Sequence, residues 1–119
     1  MRSHDLGKEG EAFAQEFLTA QGYAIRKTNY RTKFGEIDIV AEQGGCVCFI
    51  EVKTREKNGW DAFEAIDKKK QKKMIRVAQA YLLRYYETVD VLSRFDVLAV
   101  YEGAEGLLSG ELLQNAFEC

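Results

Sequence analysis

Glu36, Asp38, Glu51 and Lys53 interrupt the stretch GEIDIVAEQGGCVCFIEVKTR, whose other residues have the make-up of two strands of a sheet core. Charged groups in such strands either face water or bind something, because burying an uncompensated charge is costly. The Gly44-Gly45 pair fixes how the two strands meet. A two-residue connection of this kind makes a tight hairpin, since both turn residues need positive φ in the favoured primed turn. With Gln43 opposite Cys46, the register places Asp38 opposite Glu51 and Glu36 opposite Lys53. Alternation of bonded and non-bonded pairs puts Asp38 and Glu51 in a non-hydrogen-bonded pair, with Cα atoms about 4.5 Å apart. The period of two then places all four side chains on one face.

Two carboxylates directly opposed across a ladder destabilise it, and a divalent cation reverses that cost. Mg2+ and Mn2+ take oxygen ligands, commonly one or two carboxylates, and keep waters for a phosphate substrate. Asp38 and Glu51 are therefore the candidate metal ligands. Lys53, on the same face as Glu51, is placed to orient or deprotonate a water and to stabilise charge developing on a phosphate. The competing reading is a wet strand face with a Glu36–Lys53 ion pair and a tolerated Asp–Glu pair.

The elements that must position these groups follow from periodicity. Leu6, Phe13, Ala14, Phe17 and Leu18 recur at helical spacing between Asp5 and Gln21, and Gly22 suits the helix end. YAIRKTNYR, GEIDIVAE and CVCFIEVKT read as strands. A long helix is predicted from Trp60 to about Tyr86, with Phe63, Ile66, Met74, Val77, Ala78, Tyr81, Leu82 and Tyr85 along one side. RFDVLAVY is a further strand and GLLSGELL a weak one. The order α-β-β-β-α-β predicts an α/β domain spanning residues 1–119, with a central mixed sheet flanked by helices. On the long helix, Lys70 and Gln71 extend the buried stripe and are candidates, with Glu36, for the rim of the site; Lys69, Lys72 and Lys73 point away. Glu11 lies at the edge of the apolar arc of the first helix.

Composition bounds the partners. The chain has 119 residues, 46% of them hydrophobic, enough for one core. Its net charge of −2 hides an asymmetry: residues 1–86 carry 16 Lys and Arg against 12 Asp and Glu, whereas residues 87–119 carry 1 against 7. The basic segments RKTNYRTK and DKKKQKKMIR would contact a polyanion if they share a face, and otherwise form a solvated surface. Three cysteines at these positions read as reduced thiols in a cytoplasmic protein. With His4 the lone histidine, zinc-ligand spacing is missing. No apolar run reaches the length of a membrane span.

The fragments GKEGEAFAQEFL, GY, NYR, GEIDIVA, FIEVKTR, RFDV and NAF together resemble the YraN-like family of small bacterial proteins over nearly the whole chain. That family is similar to archaeal Holliday-junction resolvases and to the PD-(D/E)xK nuclease superfamily. The resemblance implies a restriction-endonuclease-like core and Mg2+-dependent hydrolysis of DNA phosphodiester bonds, with branched or damaged DNA among the substrates. It places the motif aspartate on Asp38 and the triplet on Glu51-Val52-Lys53, the Val52 carbonyl being an additional ligand, and the helix glutamate on Glu11. Ile37 stands where the superfamily commonly has proline. Arg26, Lys27, Arg31, Lys33 and Arg55 are the candidate DNA contacts. A twofold homodimer is expected by analogy, with Tyr81, Tyr85, Tyr86 and Phe117 as interface material. The alternative is a non-catalytic nucleic-acid-binding module that retains the fold; a structural or adaptor protein is the third reading.

Overall fold

The computed structural model describes residues 6–56 and 66–117, with Leu6, Arg55 and Glu56 described by their backbone alone. In chain order these form helix α1 (Leu6–Ala20), strands β1 (Ala24–Thr32), β2 (Gly35–Gln43) and β3 (Cys46–Glu56), helix α2 (Lys68–Tyr86), and strands β4 (Ser93–Glu102) and β5 (Leu108–Phe117). The strands make one sheet in the order β1-β2-β3-β4-β5. Only β3 and β4 pair in parallel, so the sheet is mixed and α2 lies within the crossover between them. The segment expected to be a weak strand is part of β5, which runs on to Phe117 and adds an edge strand to the predicted order.

The hairpin forms as its glycines dictate. Gly44 and Gly45 have φ of 58° and 78°, Gln43 pairs with Cys46, and the predicted register holds as far as Ile39 opposite Ile50. Each face of the sheet is covered by one helix. Ala14 and Leu18 of α1 pack on Ile39, Ala41, Cys48, Ile50, Leu98 and Val100. Met74, Val77, Ala78, Tyr81 and Leu82 of α2 pack on Val40, Val47, Phe49 and Phe95. β3 and β4 are thus apolar on both faces, which is why CVCFI and VLAV read as continuous runs. At Gly10 a Cβ would stand 2.7 Å from Thr54 Oγ1. The missing side chain lets α1 settle onto β3 and carries Glu11 to the sheet.

α2 begins at Lys68, later than the apolar stripe predicts. Trp60 and Phe63 lie outside the described residues, and Ile66 and Asp67 precede the helix. Asp67 has extended backbone and its carboxylate accepts the Lys70 N–H at 2.8 Å, a side-chain N-cap. Of the four aromatic interface candidates, Tyr81 is core at 4% exposed, and the partly buried Phe117 stacks on Phe95 with ring centroids 4.6 Å apart. Tyr85 and Tyr86 remain exposed.

A buried polar network ties the two ends of the chain together. Asp96, at 0% exposure, accepts Arg94 Nε–H on both oxygens at 3.0 and 3.1 Å, the Tyr23 hydroxyl at 2.9 Å and the Asn115 N–H at 2.9 Å. Gln43 Oε1 accepts from Arg94 at 2.6 Å and from Gln114 at 3.1 Å. The fragments GY, RFDV and NAF, far apart in sequence, meet here. Asp96→Ala strands the Arg94 charge, and we expect a loss of roughly 3 kcal/mol of stability, as for removing one partner of a buried pair. Urea unfolding would measure this, and a change within about 0.5 kcal/mol, the range of an ordinary surface substitution, would show that the network is not structural.

Candidate active site

The site is built where β2 parts from its neighbours. Ile37 packs in the cluster under α2, yet Ile39 packs in the cluster under α1. Residues two apart in a regular strand share a face, so the strand changes phase at Asp38. Pairing confirms the break on both sides. The β2–β3 ladder stops at Ile39 opposite Ile50, and the β1–β2 ladder passes from Thr28–Ile39 to Tyr30–Ile37, skipping Asn29 and Asp38. Asn29 has φ of 52°, a conformation asparagine tolerates better than most residues. In a continued ladder the Val52 N–H would bond the Ile37 carbonyl. Instead it donates to Asp38 Oδ2 at 2.8 Å.

This geometry corrects the single-face expectation. Glu51 follows Phe49 by two residues and points toward α2, where Lys70 Nζ approaches its Oε2 at 3.1 Å and Lys53 Nζ at 3.3 Å. Asp38 lines a small cleft under α1 with Glu11, Gln15, Thr28, Asn29, Ile39 and Val52, with about 10 Å³ open to a water's centre. That is about enough for one water. The two carboxylates, reached from opposite faces, come near enough for the Glu51 charge to act on Asp38. The Glu36–Lys53 pairing does not occur: Glu36 pairs with Arg31 at 3.3 Å, and Lys53 with Glu51.

Burial and the adjacent Glu51 charge push the Asp38 carboxyl up to about 7, against the pull of the Val52 N–H; the bond to Glu51 and the Glu36 charge add to the rise. A carboxyl titrating near neutrality beside a second carboxylate and two lysines can exchange a proton. Burial also pushes the Cys48 thiol up, to about 12, which keeps it neutral.

Of the remaining candidates, Glu11 and Lys70 join the site, Glu11 from the α1 side and Lys70 from the α2 side. Gln71 does not, since its amide donates to the Ile66 carbonyl at 3.2 Å and braces the start of α2. Arg26 pairs with Glu42 at 3.2 Å, and Lys27 lies over the Tyr85 ring at 5.2 Å. Lys33 lies in a basic groove beside α2. The Arg55 side chain lies outside the described residues. Sequence reasoning missed Gln15, Thr28 and Asn29; Gln15 follows Glu11 by one helical turn, a spacing that places both on one face. Among the described residues, no group of three His, Cys, Asp or Glu side chains gathers to hold a metal by itself.

A mixed sheet with one helix on each face, and an acidic, lysine-flanked site at a strand break, define an α/β protein with a candidate functional site. The chain belongs to a family described as Uncharacterised protein family UPF0102, which it matches over residues 10–100. It is 43% identical to a UPF0102 protein of Symbiobacterium thermophilum, across 97% of this chain and 98% of that one. It is also 41% identical to one from Caldicellulosiruptor saccharolyticus, across 98% and 100%, and 38% identical to one from a Synechococcus strain, across 96% and 92%. No described helix is long and apolar enough to cross a membrane.

Because the Asp38 carboxyl is raised from an ordinary 3.8 to about 7, the folded protein holds a proton across that window that the unfolded chain has released. Its contribution to stability is therefore full below about pH 4 and is lost as pH rises through 7. Asp38→Asn keeps an oxygen acceptor for the Val52 N–H but cannot ionise. Without divalent ions, we expect the variant to gain on the wild type by up to a few kcal/mol between pH 4 and 8, measured by urea unfolding; parallel pH profiles would contradict this assignment.

Proposed function

We propose that this protein is a metal-dependent nuclease acting on DNA phosphodiester bonds. The observation that carries the reading is the meeting of Asp38 and Glu51 in the gap between β2 and β3, with Lys53 on Glu51. The donor set fits a hard divalent cation: two neighbouring carboxylates, one of them resisting ionisation because of its burial and the other's charge, with Glu11 on the same cleft as Asp38. Mg2+ or Mn2+ held there would supply Lewis acidity to a phosphodiester oxygen and make a neighbouring water more acidic. The side chains do the rest. Lys53, 18% exposed, presents its ammonium beside the carboxylates, where it orients a water and meets the negative charge that grows on the phosphate. Lys70 adds a second cation from α2. The fold this reading calls for is the restriction-endonuclease-like core, and a mixed sheet with a helix on each face supports it.

One observation favours a second reading, a nucleic-acid-binding module without catalysis. Glu51 already has two lysine partners, which offset its charge without any metal. The two readings separate in a single experiment. Branched, nicked and single-stranded DNA are incubated with Mg2+ or Mn2+ and either the wild type or Asp38→Ala. The nuclease reading expects cleavage by the wild type and a loss of about 100-fold or more in the variant, the scale of removing a metal ligand's several kcal/mol. Cleavage equal in both proteins, or none by folded wild type, removes the enzyme and leaves the module, whose DNA binding should survive EDTA and Lys53→Ala.

Thermal unfolding supplies an independent check. An ion bound only by the folded state stabilises it by mass action, about 2.7 kcal/mol at 100 times its Kd. Millimolar Mg2+ or Mn2+ should raise the wild-type Tm, and Asp38→Asn should abolish the rise. A full shift retained by the variant would mean that Asp38 is not a ligand.

A further inference from the structure

A second charged surface lies one helix face away from the carboxylates. Lys33 and Phe34, at the β1–β2 turn, join Lys69, Lys72, Lys73 and Arg76 of α2 in lining one open groove. The turn is seated closely on the helix, since a Cβ at Gly35 would lie 3.7 Å from Val77 Cγ2 and 3.9 Å from Lys73 Cβ. Lys33 of the first basic segment thus shares a face with four cations of the second, whereas Arg26, Lys27 and Arg31 are engaged elsewhere. No carboxylate lines the groove among the described residues, and Lys69, Lys72 and Lys73 have no ion-pair partner there.

The arrangement works against the helix that carries it. Cations in the first turns of α2 oppose the helix dipole, a penalty that the single Asp67 cap offsets only in part. Lys69 also faces Lys72 and Lys73 at the spacings where like charges repel, and Arg76 extends the row. A bound polyanion relieves both penalties. Phe34 gives the groove a second property. Its ring is 37% exposed, with Lys33 Nζ 5.4 Å and the Arg76 guanidinium 5.7 Å from its centroid. An open aromatic ring among cations suits a planar base whose phosphates lie on the lysines.

We propose that this groove binds a single-stranded segment of DNA and leads it to the Asp38–Glu51 site, an assignment that rests on the nuclease reading for the identity of the strand and its destination. Duplex encloses its base faces in the stack, so only an unpaired strand offers one to Phe34. The path to the site is short. Lys70, in the same turns of α2 as the groove lysines, reaches Glu51, and Phe34 immediately precedes β2, the strand that carries Asp38.

The test is fluorescence anisotropy in EDTA, with a labelled oligodeoxynucleotide, its duplex and the RNA of the same sequence. The proposal expects tighter binding of the single DNA strand than of either competitor. Replacing Lys69, Lys72 and Lys73 together by Gln should lower the slope of log affinity against log salt by about 2, each phosphate contact on a single strand contributing about 0.7. Phe34→Leu, which keeps apolar bulk without the ring, should weaken binding about 5-fold or more with the slope unchanged, and Phe34→Trp should restore it. Glutamine is a good helix former, and the Gln variant should melt no lower than wild type, so lost affinity is not lost fold. Duplex or RNA binding as tightly as the DNA strand, or an unaltered salt slope, overturns the proposal. The two readings fail separately: binding through the groove without Mg2+-dependent cutting removes catalysis alone, and cutting with no groove dependence removes the groove alone.

Discussion

A single backbone donor, the Val52 N–H, decides where this sheet opens. Ladder geometry assigns it to the Ile37 carbonyl, and the Asp38 carboxylate takes it instead at 2.8 Å. The exchange costs no unsatisfied donor, since an ionised or neutral carboxyl accepts an N–H as well as a carbonyl does. Its geometric effect is large, because β2 changes phase at that residue and Ile37 and Ile39 go to opposite layers of the core. Strands that would have continued to pair are held apart, and the gap is where the Asp38 and Glu51 carboxylates meet. The apolar clusters on the two faces then fix the opening in place, since closing it would drive Ile37 out of one core or Ile39 out of the other.

Asp96 shows the same device put to a different use. It too accepts a backbone N–H, that of Asn115, where the β4–β5 register shifts between Phe95 and Val97. There the charge is met at once by Arg94 on both oxygens, and the group is fully enclosed. Asp38 bonds a backbone N–H in the same manner but has a second carboxylate, not a guanidinium, at its side. Desolvation and like charge both disfavour its ionised form, whereas Asp96 has its countercharge built in. The sheet therefore contains one aspartate whose charge is closed into a seam and one whose burial and like-charged neighbour favour its protonated form.

Much of this was legible from residue order alone. The two glycines named the hairpin and its register, alternation and apolar runs named the strands, and the spacing of Asp38 from Glu51-Val52-Lys53 named the core of the site. What failed had physical causes that periodicity does not encode. The phase change at Asp38 comes from a side chain replacing a carbonyl, so counting by twos carried Glu36 and Lys53 to one face when they lie apart. The start of α2 was set by the Asp67 cap, which the more extended apolar stripe masked. Arg31 sits directly across from Glu36 in the β1–β2 ladder and Arg26 is bonded to Glu42, pairings that require the register of a turn with no strong glycine signature. The basic groove required knowing that this turn lands on α2, a tertiary fact.

Glu51 is where the two charged surfaces communicate. Its carboxylate is almost wholly enclosed and is held by Lys53 from its own strand and by Lys70 from the helix whose other lysines line the groove. These contacts satisfy a buried charge that would otherwise be prohibitive. They also mean that the lysines are committed only as long as Glu51 lacks another countercharge. On the nuclease reading, meeting the Glu51 charge from elsewhere releases two ammonium groups, one on each side of the carboxylate, at the place where a phosphate would arrive. The same ion pairs that stabilise the folded site would then become the donors that receive the substrate.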